Sequence, residues 1–271
     1  MNSLDHLPRI HPPRHAPTTG VIVTGGASGL GFASAEALAA VGRPIAIWDI
    51  NEAGAKAAAL RLRNVYGVEA IGLTVDVRDL AAIARACDES RAALPSLGGL
   101  VHSAGIGDRG GIEAFDPDAW DSGMAIHVRP IPAIVKAILP DLRANPGSAV
   151  VGISSIQARL GDGRLPMYTA AKGAVLSLMH SMADALAPDA IRINSVSPGM
   201  ISTPLLENAL PQGPQRDATI ARVMLQRFGE AAEIGKVVRF LMSDEASYMT
   251  GTDVLVDGGY LASARRFAPG G

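Results

Sequence analysis

Short runs of aliphatic and β-branched residues alternate along this chain with longer Ala-rich segments of helical period, from Thr19 almost to the C-terminus. Val21 to Thr24, Pro44 to Trp48, Ala70 to Val75, Leu100 to Ser103, Ala149 to Ile153, Ile191 to Val196 and Val254 to Val256 read as seven strands. Most are apolar at successive positions rather than at alternate ones, as in a parallel sheet covered on both faces. The pattern therefore predicts an α/β, doubly wound fold with helices on both sides of a central, mainly parallel sheet. No repeat or linker divides it. One domain is expected over 19–260, preceded by an arm at 1–18 and followed by a tail at 261–271. Ser202 to Arg216, with Pro204, Pro211 and Pro214, is the least regular late segment and predicts a substrate lid around 202–228.

Composition narrows the class. Hydrophobic residues make up 48% of the 271 positions and aromatics only 4%, so the core must be built from Ala, Val, Leu and Ile. A net charge of -2 offers no field for nucleic acid or an anionic membrane. No apolar run is long enough to span a bilayer, and the start of the chain holds four prolines within residues 1–17 rather than a leader's apolar stretch. A cytoplasmic location is the expectation. The single cysteine, Cys87, reads as a packed thiol. His11 and His15 have a metal-pair spacing, but Pro12 and Pro13 between them forbid the helix that would align the rings, so no metal site is assigned.

Two segments carry chemistry. Thr24-Gly25-Gly26-Ala27-Ser28-Gly29-Leu30-Gly31 follows the first strand and opens a helical pattern over Phe32 to Val41. Glycines there allow a tight turn and close approach of backbone to a pyrophosphate, which the helix N-terminus also favours. Asp49 ends the second strand about 20 residues further on, where a carboxylate accepts hydrogen bonds from an adenosine ribose and repels a 2′-phosphate, so NAD is the expected cofactor. Asp49 also fits as a turn former before the helix near Asn51. Tyr168 and Lys172 stand four residues apart on one helix face, and Ser155 lies thirteen residues before Tyr168. A cation beside a phenol favours the phenolate and makes a proton donor and acceptor of a poor acid.

Together these motifs resemble the short-chain dehydrogenase/reductase family over roughly Thr19 to Gly259. Asp76-Val77, Ala104-Gly105, Pro198-Gly199 and Asp257-Gly258-Gly259 occur between and after them in that family's order. The resemblance implies a Rossmann-like fold and a single-domain NAD-dependent oxidoreductase acting on a secondary alcohol or its ketone. It implies Tyr168 as general acid/base, Ser155 as holder of the reacting oxygen, and Lys172 as the group that binds nicotinamide ribose and lowers the tyrosine pKa. Gly25, Ser28, Gly29, Leu30 and Gly31 would hold the phosphates, with Asp49 and Ile50 at the adenosine ribose. Asp76 and Val77 would meet the adenine, and Ser103, Ala104 and Gly105 would pass the adenine ribose. Pro198, Gly199, Ile201 and Thr203 would flank the nicotinamide.

Two positions depart from the family pattern. His127 stands seven residues after Trp120, where the family usually has an asparagine that helps hold a relay water. A histidine there is either an altered relay or a packed ring. His102-Ser103 replaces two asparagines that tie strands together, a change that puts local stability in question. The substrate pocket is expected from Ile106 to Gly111, Ile156 to Pro166 and the lid. Arg109, Arg159 and Arg164 all fall in these segments and would suit a carboxylate-bearing substrate or simply face solvent. The Tyr168 helix is apolar over more than one stripe, and the resemblance points to a homotetramer. Reduction of a 3-oxoacyl thioester is disfavoured by Asp49, and a non-catalytic NAD(H)-binding redox sensor by the intact Ser155, Tyr168 and Lys172.

Overall fold

The computed structural model describes residues 17–107, 110–210 and 212–262. The expected arm and tail lie almost wholly outside the described residues, as does Arg109. The elements run β1 (Gly20–Thr24), α1 (Gly29–Ala39), β2 (Ile45–Asp49), α2 (Glu52–Tyr66), β3 (Ala70–Thr74), α3 (Leu80–Ala93) and β4 (Leu97–His102). There follow α4 (Pro117–His127), α5 (Pro130–Ala144), β5 (Ala149–Ile153), α6 (Pro166–Leu186), β6 (Arg192–Pro198) and β7 (Ile201–Ser202). The last elements among the described residues are α7 (Pro204–Ala209), α8 (Pro214–Arg222), β8 (Gly229–Glu230), α9 (Ala231–Leu241) and β9 (Asp253–Val256).

Seven strands form one sheet in the order β3-β2-β1-β4-β5-β6-β9, every pairing parallel. Alternate side chains of each strand feed opposite cores. Val21, Val23, Ile45, Ile47, Val101 and Val151 pack with α1, α2 and α9 through Leu38, Leu62, Ile234 and Val238. Ile22, Ala46, Trp48, Leu100 and Val150 pack with α3, α5 and α6 through Ile83, Ile131, Ile134, Val175 and Met179. Both faces are thus buried, which is why the strands read as continuous apolar runs. Helix starts follow local chemistry. Asn51 accepts from Gly54 N (3.1 Å), Asp79 from Ala81 N (2.8 Å), and Asp116 from Asp118 N (3.1 Å) beside Pro117 in the first turn.

Two strand boundaries differ from the sequence reading by more than one residue. β4 begins at Leu97 rather than Leu100, because Gly98 is a strand residue: a Cβ there would run into Thr19, so the glycine serves close packing and not a turn. β6 extends to Pro198, paired with Val256. A short parallel ladder, Ile201 with Gly229 and Ser202 with Glu230, closes the base of the expected lid. Between its feet the segment is built from α7 and α8.

Candidate active site

A parallel sheet of this order presents its strand ends on one edge, and the chain leaves that edge through the residues picked out by sequence. Gly25 and Gly29 adopt left-handed φ of 63° and 55°, which a side chain would strain. A Cβ at Gly25 would lie 2.9 Å from Ala104 N, and one at Gly31 would collide with Gly25 O. A Cβ at Gly29 would stand 3.9 Å from Thr203 Cγ2, so the glycine turn and the foot of the lid are neighbours. Ser28, at the N-cap of α1, makes no side-chain cap bond, and the first-turn N–H groups are left to something else. The turn therefore has the shape and polarity to cradle a phosphate.

Asp49 sits beside it. Its Oδ2 accepts from Ala27 N (3.1 Å) and its Oδ1 from Asn51 N (2.9 Å), so the carboxylate both forms the turn before α2 and holds the glycine loop. A carboxylate has about four lone-pair sites, which leaves room for ribose hydroxyls. Ile50 next to it is exposed. Arg43 lies at the far end of β2, buried against Thr19 and Met242, and cannot greet a 2′-phosphate. Asp76 is gripped by Arg78 through its backbone N (2.9 Å) and guanidinium (2.7 Å), which holds its carboxyl below the usual range. Val77 is buried in the core, which leaves only its backbone for an adenine.

β4 ends in a knot around Thr24. Thr24 Oγ1 accepts from Ser103 N and Ala104 N (3.2 Å each) and lies 2.9 Å from His102 Nδ1, while His102 Nε2 lies 3.1 Å from Ile126 O. With Thr24 Oγ1 already accepting twice, its own proton goes to Nδ1, and His102 Nε2–H donates to Ile126. His102 thus joins β1, β4 and the end of α4, so the exchange of asparagine for histidine keeps the tie that was in question. Thr24 was not singled out by sequence. Its hydroxyl became legible only once β1 and β4 were seen side by side.

On the neighbouring strand, Ser155 is buried at the end of β5 and its Oγ accepts from Gln157 N (3.1 Å). α6 brings Tyr168 and Lys172 to the same place. The Lys172 ammonium lies 5.4 Å from the Tyr168 ring centroid and donates to Ile153 O (2.8 Å), while Ser154 Oγ donates to Lys172 O (2.9 Å). Burial pushes the Lys172 pKa down to about 8, so it still carries charge at neutral pH. The His127 ring meets Tyr168 edge-on, with centroids 5.5 Å apart. Gly105 lies against that ring and, through Ala104, against Gly25. One chain of contacts thus runs from the glycine turn through Ala104, Gly105 and His127 to Tyr168 and Lys172. Pro198 and Gly199 cap β6, with Ile201 buried beyond them.

The pocket loops meet as well: a Cβ at Gly111 would lie 2.6 Å from Gly163 O. The loop arginines have other partners. Arg159 donates to Asp253 (2.7 Å), a nearly buried carboxylate that also accepts from Ser195 and Ser197 (2.6 and 2.9 Å), and Arg164 pairs with Asp162 (2.9 Å). Among the described residues no cluster of metal-ligating side chains occurs, and no helix is long and apolar enough to cross a membrane.

Comparison with known proteins fits this geometry. A family model described as enoyl-(acyl carrier protein) reductase matches residues 25–261. A short-chain type dehydrogenase/reductase of Sinorhizobium fredii is 36% identical over 245 residues, covering 89% of this chain and 96% of that protein. The chain belongs to the short-chain dehydrogenase/reductase family. With it the protein joins the oxidoreductases that use a nicotinamide cofactor, NAD or NADP. Another member, the cyclopentanol dehydrogenase of Comamonas sp. (strain NCIMB 9872), is 34% identical over 90% of this chain and 97% of its own. The crystal structure of L-sorbose reductase from Gluconobacter frateurii, complexed with NADPH and L-sorbose, superposes with a TM-score of 0.85 at 26% identity. It covers 92% of this chain and 98% of that one.

Proposed function

We propose that this family member is an NAD-dependent dehydrogenase/reductase that interconverts a secondary alcohol and its ketone, with Tyr168 as general acid/base. The observation that carries the reading is the unbroken run of contacts from the glycine turn to the Tyr168–Lys172 pair. It sets a phosphate cradle and a proton-transfer group along one cleft. Gly25, Ser28, Gly29, Leu30 and Gly31 would hold the pyrophosphate, Asp49 and Ile50 the adenosine ribose, and Asp76, Val77, Ser103, Ala104 and Gly105 the rest of the adenosine. Pro198, Gly199, Ile201 and Thr203, with Lys172, would position the nicotinamide end. Bound there, the dinucleotide supplies the acceptor or donor of the hydride.

The chain's own residues do the remaining work. In the oxidative direction Tyr168 Oη takes the hydroxyl proton, and the buried Lys172 ammonium favours negative charge on that oxygen. Ser155 Oγ hydrogen-bonds the same substrate oxygen and steadies the charge that develops on it. Asp49 disfavours a 2′-phosphate by like charge, which supports NAD over NADP. Arg159 and Arg164 are engaged by Asp253 and Asp162, which supports an uncharged substrate. The names of two similar proteins, a cyclopentanol dehydrogenase and an L-sorbose reductase, support the alcohol and ketone class.

The test is reduction of NAD⁺ and NADP⁺ by the purified protein against a panel of cyclic and open-chain secondary alcohols. We expect turnover with NAD⁺ and a loss of about 100-fold or more in kcat for Tyr168→Phe. Full activity in Tyr168→Phe would overturn the mechanism, and turnover with NADP⁺ alone would overturn the cofactor assignment.

A further inference from the structure

Ser155 has a second task in the fold. Its Oγ accepts from Gln157 N (3.1 Å), so the serine assigned above to the substrate oxygen is also the N-cap of a single 3-10 turn, Ile156–Ala158. A hydroxyl has one proton and two lone pairs. With one lone pair taken by Gln157, the rotamer of Ser155, and so the direction of its own O–H, follows the placement of that turn. Three residues of 3-10 helix hold themselves poorly, because their hydrogen bonds are few and of poorer geometry. Contacts from outside must fix the turn.

The residue that closes the turn supplies such a contact. Arg159 is its C-cap, with its N–H bonded to Ile156 O (3.0 Å), and its guanidinium donates to Asp253 Oδ2 (2.7 Å). Arg159 belongs to the segment that leaves β5 and Asp253 opens β9, so the pair spans the intervening β6. Asp253 lies beside Ser195 in the β6 register, with its side chain only 4% exposed. Ser195 Oγ donates to Oδ1 (2.6 Å), and Ser197 Oγ lies within reach of both carboxylate oxygens (2.9 and 2.8 Å). A nearly buried carboxylate with that many donors is a fixed point of the sheet. On the apolar side of the same turn, Ile156 packs with Val223 and Tyr260.

We propose that Arg159 and Asp253 are positioning residues that aim Ser155 Oγ at the reacting oxygen by pinning the turn that Ser155 caps. Arg159 is half-exposed, and an ion pair open to solvent adds little to folding stability, so its worth lies in where it holds the turn. The kinetic consequence rests on the functional reading above, whereas the geometry does not.

A double-mutant cycle tests the route through Ser155. Arg159→Ala should lower kcat about ten-fold, with the KM for NAD⁺ within about two-fold and little change in melting temperature. In a Ser155→Ala background the same substitution should cost less than about two-fold, because the oxygen it positions is gone. Asp253→Asn should slow the enzyme about as much as Arg159→Ala, and the two changes together no more than either alone. Wild-type kcat in Arg159→Ala, an equal loss with and without Ser155, or multiplied losses in the Arg159→Ala, Asp253→Asn double variant overturns the proposal.

A second measurement does not depend on turnover. Amide exchange followed by NMR should be about ten-fold or more faster at Gln157 N–H in Arg159→Ala than in the wild type, as the unpinned turn opens. Unchanged exchange there overturns the proposal. Failure of every alcohol and ketone in the wild type would instead overturn the functional reading, and exchange at Gln157 would still decide whether Arg159 holds the turn.

Discussion

A lysine whose ammonium is buried must find a partner, and Lys172 finds the carbonyl of Ile153. Two buried histidines stand nearby, and both are neutral in the fold. The His102 pKa, like that of His127, is pushed down to about 3, first by burial and then by Lys172. An unfolded chain protonates such rings below about 6.5, so between about 6.5 and 3 it binds protons that the folded state refuses. Stability therefore falls as pH drops through that window. Melting temperatures measured from pH 7.5 to 4.5 should decline from about pH 6.5, and His127→Gln should make the decline shallower. A flat profile would show that the rings already titrate in the fold. Ser155, Tyr168 and Lys172 were legible because their spacing lies within one or two elements. The partners of His102 and His127 were not, since they depend on which strands and helix ends meet.

At the scale of elements, the break between α4 and α5 sets His127 in place, and the segment between β7 and β8 is tied by one cation. Arg216 grips Glu207 through both guanidinium nitrogens (2.6 and 2.9 Å), reaches Leu210 O (3.1 Å) and lies 4.7 Å above the Phe228 ring. Ser202 adds a bond to the same carboxylate (2.6 Å), and together they hold the Glu207 pKa down to about 2. α7 and α8 therefore stand as a pair through the neutral range. Arg216→Ala should loosen that pair, raising cleavage by chymotrypsin within 203–228 and raising substrate KM more than it changes kcat. Unchanged digestion would show that packing alone holds the segment. Its three prolines pointed to irregularity but concealed two short helices, because Pro204 and Pro214 sit in helical first turns where proline is tolerated. The strand that was expected to start at Leu100 starts at Leu97 instead, because Gly98 gives Thr19 room against it.

Across the whole molecule, the candidate site occupies one edge of the sheet and buried structural arginines the other. At that far edge Arg43 is fully buried, bonded to Thr19 O (2.8 Å), Thr19 Oγ1 (2.9 Å) and Met242 O (3.1 Å), and Arg192 takes Leu241 O and Ser243 O (2.7 and 2.9 Å). The two guanidiniums thus satisfy the last carbonyls of α9. Burial and the nearby Arg192 push the Arg43 pKa down to about 9, still charged at neutral pH. Arg43→Ala should cost about 3 kcal/mol or more in urea unfolding, since it strands several buried acceptors. Its kcat should stay at the wild-type level, because its hydrogen-bond partners among the described residues, Thr19 and Met242, lie away from the candidate site. A large loss of kcat with unchanged stability would contradict that division. The alternation of strands and helices announced this architecture, whereas the use of arginine to bind main-chain carbonyls depended on the three-dimensional meeting of β2, β6 and α9. The parallel ladder of Ile201 with Gly229 and Ser202 with Glu230 has a consequence for descent. By pinning both feet of the intervening segment, it turns that stretch into a cassette whose length can change at only about 0.6 kcal/mol per doubling. If the segment lines the substrate site as proposed, new substrates could be acquired by swapping the cassette while the sheet and the Tyr168–Lys172 pair stay as they are.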